Sequence, residues 1–388
     1  MLASMFGSLG DIVSPLPLPE FLQAFRDKRR LHVDAIDPAR ATSAALLLPW
    51  QEIESMISMH NLDDLETMKN GMLIPPQLYQ GQGDLGVFHD LLAQGASLVI
   101  KQIQLTVPRI QWLATSIERQ LGCVVGVNAY CSFSSGGAFK PHWDRHDVLV
   151  VQIHGTKTWR IWDSTFRNPV ERSRGANHDI TDAASEEFVV SSGDVLFIPR
   201  GEPHAASVSR GSSVHVTFGF DGLNGVDVLQ RLQNAAGQDD FLRTDLPPRE
   251  AHAEVREHEK ELKIRLHRLV DALDLSDFLE DDDANRLPVR QASLTFSEQP
   301  GDILRLTLRR RVSLPELTDG EPPPVTIGGT SYRLSRPAID LLRGLLACDC
   351  QSRSSLIESL RSSHDRAAVV AGIQELIRLG FLMTERAV

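Results

Sequence analysis

The middle of the chain consists of short apolar runs separated by turns. Between residues 123 and 220 there are six runs rich in valine, isoleucine and aromatic residues, with glycine and serine between them. Their β-branched residues favour extended backbone. Six such runs in about a hundred residues predict a sandwich or barrel of antiparallel strands. In chain order they are CVVGVNAYCSF, DVLVVQIH, KTWRIWD, EFVV, DVLFIPR and SSVHVTFGF.

Composition excludes several classes of protein. The chain has 388 residues, 42% of them hydrophobic, which is enough for two or three domains with cores of their own. Its formal net charge of −11 disfavours nucleic acid as a partner, because phosphate is bound by basic surfaces. Four cysteines are too few for a secreted disulfide framework. With no signal-peptide pattern at the amino terminus and no apolar run of the ~18 residues that span a membrane, we expect a cytoplasmic protein.

The regions on either side of the strand-rich segment have different patterns. Residues 1–120 mix helix and loop signals, and we expect them to join the strands in one domain over residues 1–225. Residues 226–288 are helical and charged, and their apolar residues recur at spacings that form one stripe. Residues 289–388 combine small strands with two apolar helical patterns, the profile of a winged-helix-like domain. The stripe consists of Val255, Leu262, Leu266, Leu269, Val270 and Leu273.

Two polar residues stand just before the run DVLVVQIH. His142 and Asp144 are separated by a single residue, Trp143. On an extended backbone residues i and i+2 point to the same face, so the imidazole and the carboxylate converge while the indole faces away. Such a pair is a candidate for two ligands of a metal ion. His146 is expected to be a surface or loop residue.

A second motif supplies a third candidate ligand, His204. The segment GDVLFIPRGEPH, which ends at this histidine, resembles one of the two sequence patterns of the cupin barrels. The other pattern is partly matched by Gly136, His142, Asp144 and Gly155, while its glutamate position falls near Val148, which cannot bind a metal.

These residues predict a particular metal chemistry. Two histidines and one carboxylate, here His142, Asp144 and His204, occupy one face of an octahedral ion and leave three positions open. That arrangement is associated with non-haem Fe(II) oxygenases. Three open positions suit a bidentate 2-oxo acid together with dioxygen.

The chain also resembles the JmjC-type 2-oxoglutarate oxygenases, most closely the ribosomal oxygenases, which hydroxylate side chains of ribosomal proteins. Lys157 stands where that family keeps a basic residue for the distal carboxylate of 2-oxoglutarate. Independently, a lysine directed inward from the apolar run KTWRIW needs an anion to offset its desolvation. Asn128, Tyr130 and His215 match positions that line the cosubstrate pocket and the active site. Ser134 is a further candidate for a hydroxyl contact to the cosubstrate carboxylate.

The resemblance implies an α+β protein: a double-stranded β-helix, the cupin or JmjC barrel, followed by a helical dimerisation segment and a C-terminal winged-helix domain. It further implies Fe(II) as cofactor, 2-oxoglutarate as cosubstrate, a homodimer, and hydroxylation of a side chain in a protein or peptide, such as an arginine or histidine of a ribosomal protein. Three alternatives remain open: a hydroxylase that tailors a peptide natural product, a cupin that senses a ligand or metal without catalysis, and an enzyme that removes N-methyl groups.

Overall fold

A computed structural model describes residues 6–59, 65–69, 71–78, 85–133, 136–137, 139–164, 166–170, 180, 183–208, 211–289, 299, 301–318 and 320–385. The chain divides into two units, Met1–Asp221 and Gly222–Val388. Each is considered by itself. The finer division at residue 288, between a helical segment and a C-terminal domain, stays a prediction.

Unit 1 contains six helices and twelve strands in the described part of the chain. The helices are α1 Leu9–Val13, α2 Leu18–Asp27, α3 Pro38–Leu47, α4 Trp50–Met59, α5 Leu85–Ala93 and α6 Pro108–Leu121. The strands are β1 Leu31–Val33, β2 Leu65–Lys69, β3 Met72–Ile74, β4 Ser97–Ile100, β5 Cys123–Ser132, β6 Gly136–Gly137, β7 Asp147–His154, β8 Thr156–Ile161, β9 Glu186–Ser191, β10 Val195–Ile198, β11 His204–Val208 and β12 Ser213–Gly222.

The strands of unit 1 form two sheets. The larger sheet has the order β1-β10-β7-β12-β5-β4-β2-β3, and the smaller one has the order β6-β11-β8-β9. All six predicted runs are strands, namely β5, β7, β8, β9, β10 and β12. The short strands β6 and β11 were not expected, and neither was the extension of the large sheet by β1, β2 and β3 from the amino-terminal region.

Strand β7 is covered on both faces, and this explains why the run DVLVVQIH is apolar at almost every position. Leu149, Val151 and Ile153 belong to the core that the large sheet shares with the amino-terminal helices. Val148 and Val150 alternate with them and face the smaller sheet, where they meet Trp159, Ile161 and Val190, and they share this second core with Leu196 and Ile198 of the neighbouring strand β10. Since neighbouring residues of a strand point to opposite faces, a strand that is covered on both faces needs apolar residues throughout.

Unit 2 contains six helices, α7 Gly225–Ala236, α8 His252–Asp271, α9 Leu275–Asn285, α10 Arg336–Cys348, α11 Arg353–Ser359 and α12 Arg366–Arg378. Its strands are β13 Ile303–Leu306, β14 Val325–Ile327, β15 Thr330–Tyr332, β16 Cys350–Ser352 and β17 Leu382–Glu385. A three-stranded sheet, β16-β13-β17, and the β14-β15 pair contribute to one core with α10, α11 and α12. Its fully buried members include Leu304, Ile339, Leu342, Ile373 and Leu376.

The helices α7, α8 and α9 have no buried residue. Of the predicted stripe, Val255, Leu266 and Val270 are exposed, whereas Leu262, Leu269 and Leu273 are half-buried, so this apolar stripe is only partly covered within the part of the chain that the structure describes. Among the described residues, no helix combines the length and the apolar character that a membrane span requires. A cytoplasmic location stays a prediction from the sequence.

The turn between β7 and β8 yields a test of the fold. Gly155 has a φ of +67°, and a Cβ atom there would lie 2.0 Å from the carbonyl oxygen of Ser212. Gly211 has a φ of +77° but no atom within 4 Å of its Cβ position. Both alanine variants carry the cost of a left-handed backbone, about 1 kcal/mol, but only Gly155→Ala also forces a backbone displacement. We expect Gly155→Ala to lower the free energy of unfolding by about 3 kcal/mol or more, as measured by urea denaturation. Equal losses for the two variants would contradict this explanation.

Candidate metal centre

Backbone hydrogen bonds between the loop before β7 and the segment that leads into β11 bring the three candidate ligands together. The N–H of His204 donates to the carbonyl of His142 at 2.8 Å, and the N–H of His142 donates back at 3.1 Å. A third bond runs from the N–H of Gly201 to the carbonyl of Asp144 at 3.0 Å. These bonds place the two imidazole rings 4.7 Å apart, centroid to centroid. Residues that lie about sixty positions apart in the chain thus share one corner of the fold.

The ligand atoms of His142, Asp144 and His204 all lie within 4.8 Å of one another. The Asp144 carboxylate lies 3.6 Å from Nε2 of His204 and 4.0 Å from Nε2 of His142. Spacing of this kind leaves room for one ion between the three groups. Trp143 points away from them, as predicted, and its buried ring stacks on Phe166 at 5.8 Å.

Both histidines are oriented through their other ring nitrogen. Nδ1 of His142 donates to the carbonyl of Lys140 at 2.9 Å, and Nδ1 of His204 donates to the carbonyl of Glu202 at 3.0 Å. In each case the acceptor lies two residues earlier in the chain. A proton held at Nδ1 leaves the lone pair at Nε2, the atom that faces Asp144. The tautomer is therefore the one that a metal ligand requires.

The charges in the cluster favour the metal-binding protonation states. Burial, together with the nearby His142, lowers the pKa of His204 to about 4, so this imidazole is neutral near pH 7. Burial alone would raise the pKa of Asp144, but His204 and His142 outweigh it and the pKa is lowered. A neutral imidazole and an ionised carboxylate need lose no proton to bind a cation.

The cluster faces a cavity of about 320 Å³ that Lys157, Asn128, Tyr130 and His215 also line. The structure thus brings seven of the eight candidate site residues to one cavity. Ser134 lies outside the residues that the structure describes. Cavities of this size accept small organic molecules.

Lys157 points inward from β8 and is only 4% exposed. Its Nζ atom donates to Nδ1 of His215 at 3.2 Å, and within the described ranges no carboxylate pairs with it. Burial lowers its pKa to about 8. A buried ammonium without an anionic neighbour has lost hydration and gained little in return, so a bound carboxylate would stabilise it.

The remaining candidates form the wall beside Lys157. Tyr130 stacks on His215 with a centroid distance of 4.8 Å and an interplanar angle of 1°. The Tyr130 hydroxyl is hydrogen-bonded to Asn128 and Thr217, and burial followed by the charge of Asp144 raises its pKa to about 12. Burial and the charge of Lys157 lower the pKa of His215 well below its usual value. The ring therefore stays neutral and accepts a hydrogen bond from the Lys157 ammonium.

Sequence reasoning missed several lining residues. His146, which was expected in a loop or at the surface and could also have formed a wall of the site, lies in the loop before β7 and lines the cavity. It continues the alternation of His142 and Asp144, and this spacing could have placed it there. Its ring reaches within 2.6 Å of the point where a Cβ atom of Gly219 would lie, so the glycine makes room for it. Trp159 and the Glu66–Lys101 pair, 2.7 Å apart, were missed as well.

A divalent transition metal fits this donor set. Two imidazole nitrogens and one carboxylate oxygen are ligands that Fe(II) accepts in the facial arrangement, with further positions open toward the cavity. The side chains of His142 and Asp144 are each 31% exposed, whereas that of His204 is 7% exposed. The cluster is therefore accessible from the side of His142 and Asp144.

Comparison with known proteins identifies the strand-rich part of the chain. Residues 100–228 match the JmjC domain family. The bifunctional lysine-specific demethylase and histidyl-hydroxylase NO66 of Caenorhabditis elegans is 27% identical over 221 residues, 54% of this chain and 29% of the relative. The protein of the same name from Drosophila yakuba is 24% identical over 253 residues, 61% of this chain and 36% of the relative. The chain thus spans about a third of the length of these curated relatives.

Solved structures extend the likeness to most of the chain. YcfD, a ribosomal oxygenase from Escherichia coli, has a TM-score of 0.57 at 18% identity, with 96% of this chain and 99% of that chain covered. Its complex with cobalt and 2-oxoglutarate has a TM-score of 0.54 at 18% identity, with the same coverage. At this identity the comparison shows the fold, and it confirms the predicted cupin or JmjC barrel with both helices and sheets. Residues 100–228 therefore match the JmjC domain, and the chain has a fold similar to that of the ribosomal oxygenase YcfD.

Proposed function

We propose that this protein is an Fe(II)- and 2-oxoglutarate-dependent oxygenase that hydroxylates an amino-acid side chain in a protein or peptide. One observation carries the proposal. A two-histidine, one-carboxylate cluster and a buried lysine without a carboxylate partner line the same cavity. The cluster suits Fe(II), and the lysine suits the far carboxylate of a dicarboxylic cosubstrate.

Each residue then has a defined task. His142, Asp144 and His204 would hold Fe(II), which, with 2-oxoglutarate and dioxygen bound, supplies the chemistry that inserts one oxygen into a C–H bond and yields succinate and carbon dioxide. Lys157 would pair with the distal carboxylate of 2-oxoglutarate. His215 accepts a hydrogen bond from Lys157 at 3.2 Å and so restricts the position of the ammonium group.

The substrate side chain is best admitted from the side of His142 and Asp144, which are more exposed than His204. A macromolecular substrate can present one residue at such an opening while the rest of it stays outside. The names of the relatives, a ribosomal oxygenase and a histidyl-hydroxylase, support a ribosomal protein as substrate and histidine as the residue that is hydroxylated. Arginine is the other residue that the family resemblance implies.

N-demethylation is a second candidate, because the NO66 relatives are named as lysine-specific demethylases too. The same metal site would serve, since hydroxylation of an N-methyl carbon gives an unstable product that releases formaldehyde. Formaldehyde in the reaction mixture would favour this candidate, and a stable mass gain of one oxygen would favour hydroxylation.

We also propose that the protein is a homodimer formed through α7, α8 and α9, and that residues 289–388 form a winged-helix-like module. The exposed apolar side chains on α8 support the first part, because such a stripe is stabilised when a partner covers it. The compact core around α10 and α12 supports the second part.

The function is tested by an aerobic reaction with Fe(II), 2-oxoglutarate and ribosomal protein fractions, followed by mass spectrometry. We expect a gain of one oxygen on a protein substrate with the unsubstituted enzyme. Asp144→Ala should abolish both this gain and succinate formation, because one of three metal ligands is lost. Asp163→Ala, at an exposed carboxylate that pairs with Arg30, is the matched control and should be fully active. Turnover by a folded Asp144→Ala variant would refute the assignment.

Lys157→Ala tests the cosubstrate site. A charge-assisted pair to a desolvated carboxylate is worth about 2 kcal/mol, so the apparent KM for 2-oxoglutarate should rise roughly 30-fold. The requirement for Fe(II) should change little, since the lysine is not a ligand. Lys69→Ala, on β2 and outside the cavity lining, is the control and should change neither constant. Equal increases in the two requirements would argue against this role of Lys157.

Light scattering tests the dimer. The unsubstituted protein should have twice the 43.0 kDa mass of one chain. Leu266→Glu places a charge on the apolar stripe of α8 and should shift the mass to that of a monomer at micromolar concentration. Lys260→Glu, on the same helix at a position paired with Glu257, should leave the dimer intact. A monomeric mass for the unsubstituted protein would refute the dimer.

A further inference from the structure

A second group of metal-type donors lies outside the cavity, at the edge of the large sheet. It consists of His32 on β1, Asp34 directly after β1, and Asp194 in the turn between β9 and β10. One ligand atom from each residue lies within 4.8 Å of the other two, as in the candidate metal centre. None of the three residues lines the cavity. The proposed function therefore leaves this group without a task.

The imidazole of His32 faces two carboxylates but is hydrogen-bonded to neither. Nδ1 lies 3.6 Å from an oxygen of Asp34, and Nε2 lies 3.6 Å from an oxygen of Asp194. Both separations exceed the length of a hydrogen bond, and Nε2 is buried without a hydrogen-bond partner among the described residues. Two ligands of one zinc ion, each about 2.1 Å from it in a tetrahedral arrangement, are about 3.4 Å apart. The spacing thus suits an ion better than a direct contact.

Asp194 is held in place by the main chain and keeps acceptor sites for a cation. Its side chain is 9% exposed, and its two oxygens accept the N–H groups of Ala35 at 2.6 Å and Ser191 at 2.7 Å. A carboxylate has about four lone-pair sites, so two of them remain. The guanidinium of Arg40 lies nearby, but all three of its nitrogens donate to main-chain carbonyls. The carboxylate of Asp194 can therefore bind an ion without losing either main-chain bond.

Asp34 supplies the third donor from the solvent side. Its side chain is 75% exposed, so it can turn toward an ion and leave space for water as a fourth ligand. Its carboxylate and that of Asp194 together balance the charge of a divalent cation. One imidazole nitrogen, two carboxylate oxygens and a water molecule form a ligand set that suits Zn(II).

We propose that His32, Asp34 and Asp194 bind a structural Zn(II) ion. Strand β1 has three residues and is held at the edge of the large sheet by its pairing with β10. The ion adds a second connection, because Asp194 belongs to the segment GDVLFIPRGEPH, which ends at the candidate ligand His204. It fixes the amino-terminal strand to the turn that begins this segment. The site does not depend on the proposed function, since the two share no residue.

Zinc content, measured by mass spectrometry after EDTA treatment and dialysis against micromolar Zn(II), tests this site. The unsubstituted protein should hold two ions per chain, one of them at the candidate metal centre. His32→Ala and Asp34→Ala should each remove one ion, and the second variant alters only an exposed side chain, so it should fold normally. His364→Ala removes a histidine with one carboxylate neighbour, Asp340 at 2.9 Å, and should leave the content unchanged. Equal zinc content in the unsubstituted protein and in Asp34→Ala would overturn the inference.

Thermal unfolding separates the two sites. In Asp144→Ala the candidate metal centre has lost a ligand, so zinc acts on this variant through the second site. Zn(II) should raise its Tm by about 3 °C or more, because an ion that binds only the folded chain stabilises it. Adding His32→Ala to the same chain should remove this shift. An imidazolium held between two carboxylates would give no zinc dependence, so an unchanged Tm in Asp144→Ala would overturn the inference and leave the proposed function standing.

Discussion

The backbone pair between His142 and His204 is the contact on which the candidate centre depends. Its two hydrogen bonds, 2.8 Å and 3.1 Å long, connect the loop before β7 to the first residue of β11. Each histidine then uses the carbonyl two residues before it to orient its ring. The site is therefore assembled mainly from main-chain bonds, which do not depend on side-chain identity. Side chains are left free to face a ligand.

The second constraint is the low polarity of the surroundings. Covering β7 on both faces excludes water from one side of the site, and the same burial lowers the pKa values of His204, His215 and Lys157. Burial also raises the free-energy cost of every polar group that lacks a hydrogen-bond or ionic partner. The ammonium of Lys157 lacks an ionic partner within the described residues, and a bound carboxylate would stabilise it.

Much of the site could be predicted because its signals are local. His142 and Asp144 share a face through strand alternation, and the turn motif before His204 is contiguous in sequence. Lys157 begins a strand whose other inward residues, Trp159 and Ile161, are apolar, so its direction could be inferred. His146 lies in a loop, as expected, but it was not assigned to the site because it precedes the apolar run and carries no hydrophobic neighbour pattern of its own. Strand β11 was missed because its small residues resemble a loop.

What the sequence by itself determined is the set of groups available: three metal-type donors, a lysine in an apolar strand, and six runs that must pair to bury their branched side chains. Only the tertiary structure decided which donors meet, because convergence of His204 with a pair sixty residues away depends on strand order and on hydrogen bonds between loops. It also decided which groups lack partners. Trp159 looks like an ordinary core residue in the sequence, and its unpaired N–H becomes apparent only when its neighbours on the adjacent strands are found to be Ala206 and Phe188. The spacing of residues along a strand determines the face to which each side chain points, whereas the identity of its neighbours on adjacent strands depends on how the whole chain folds.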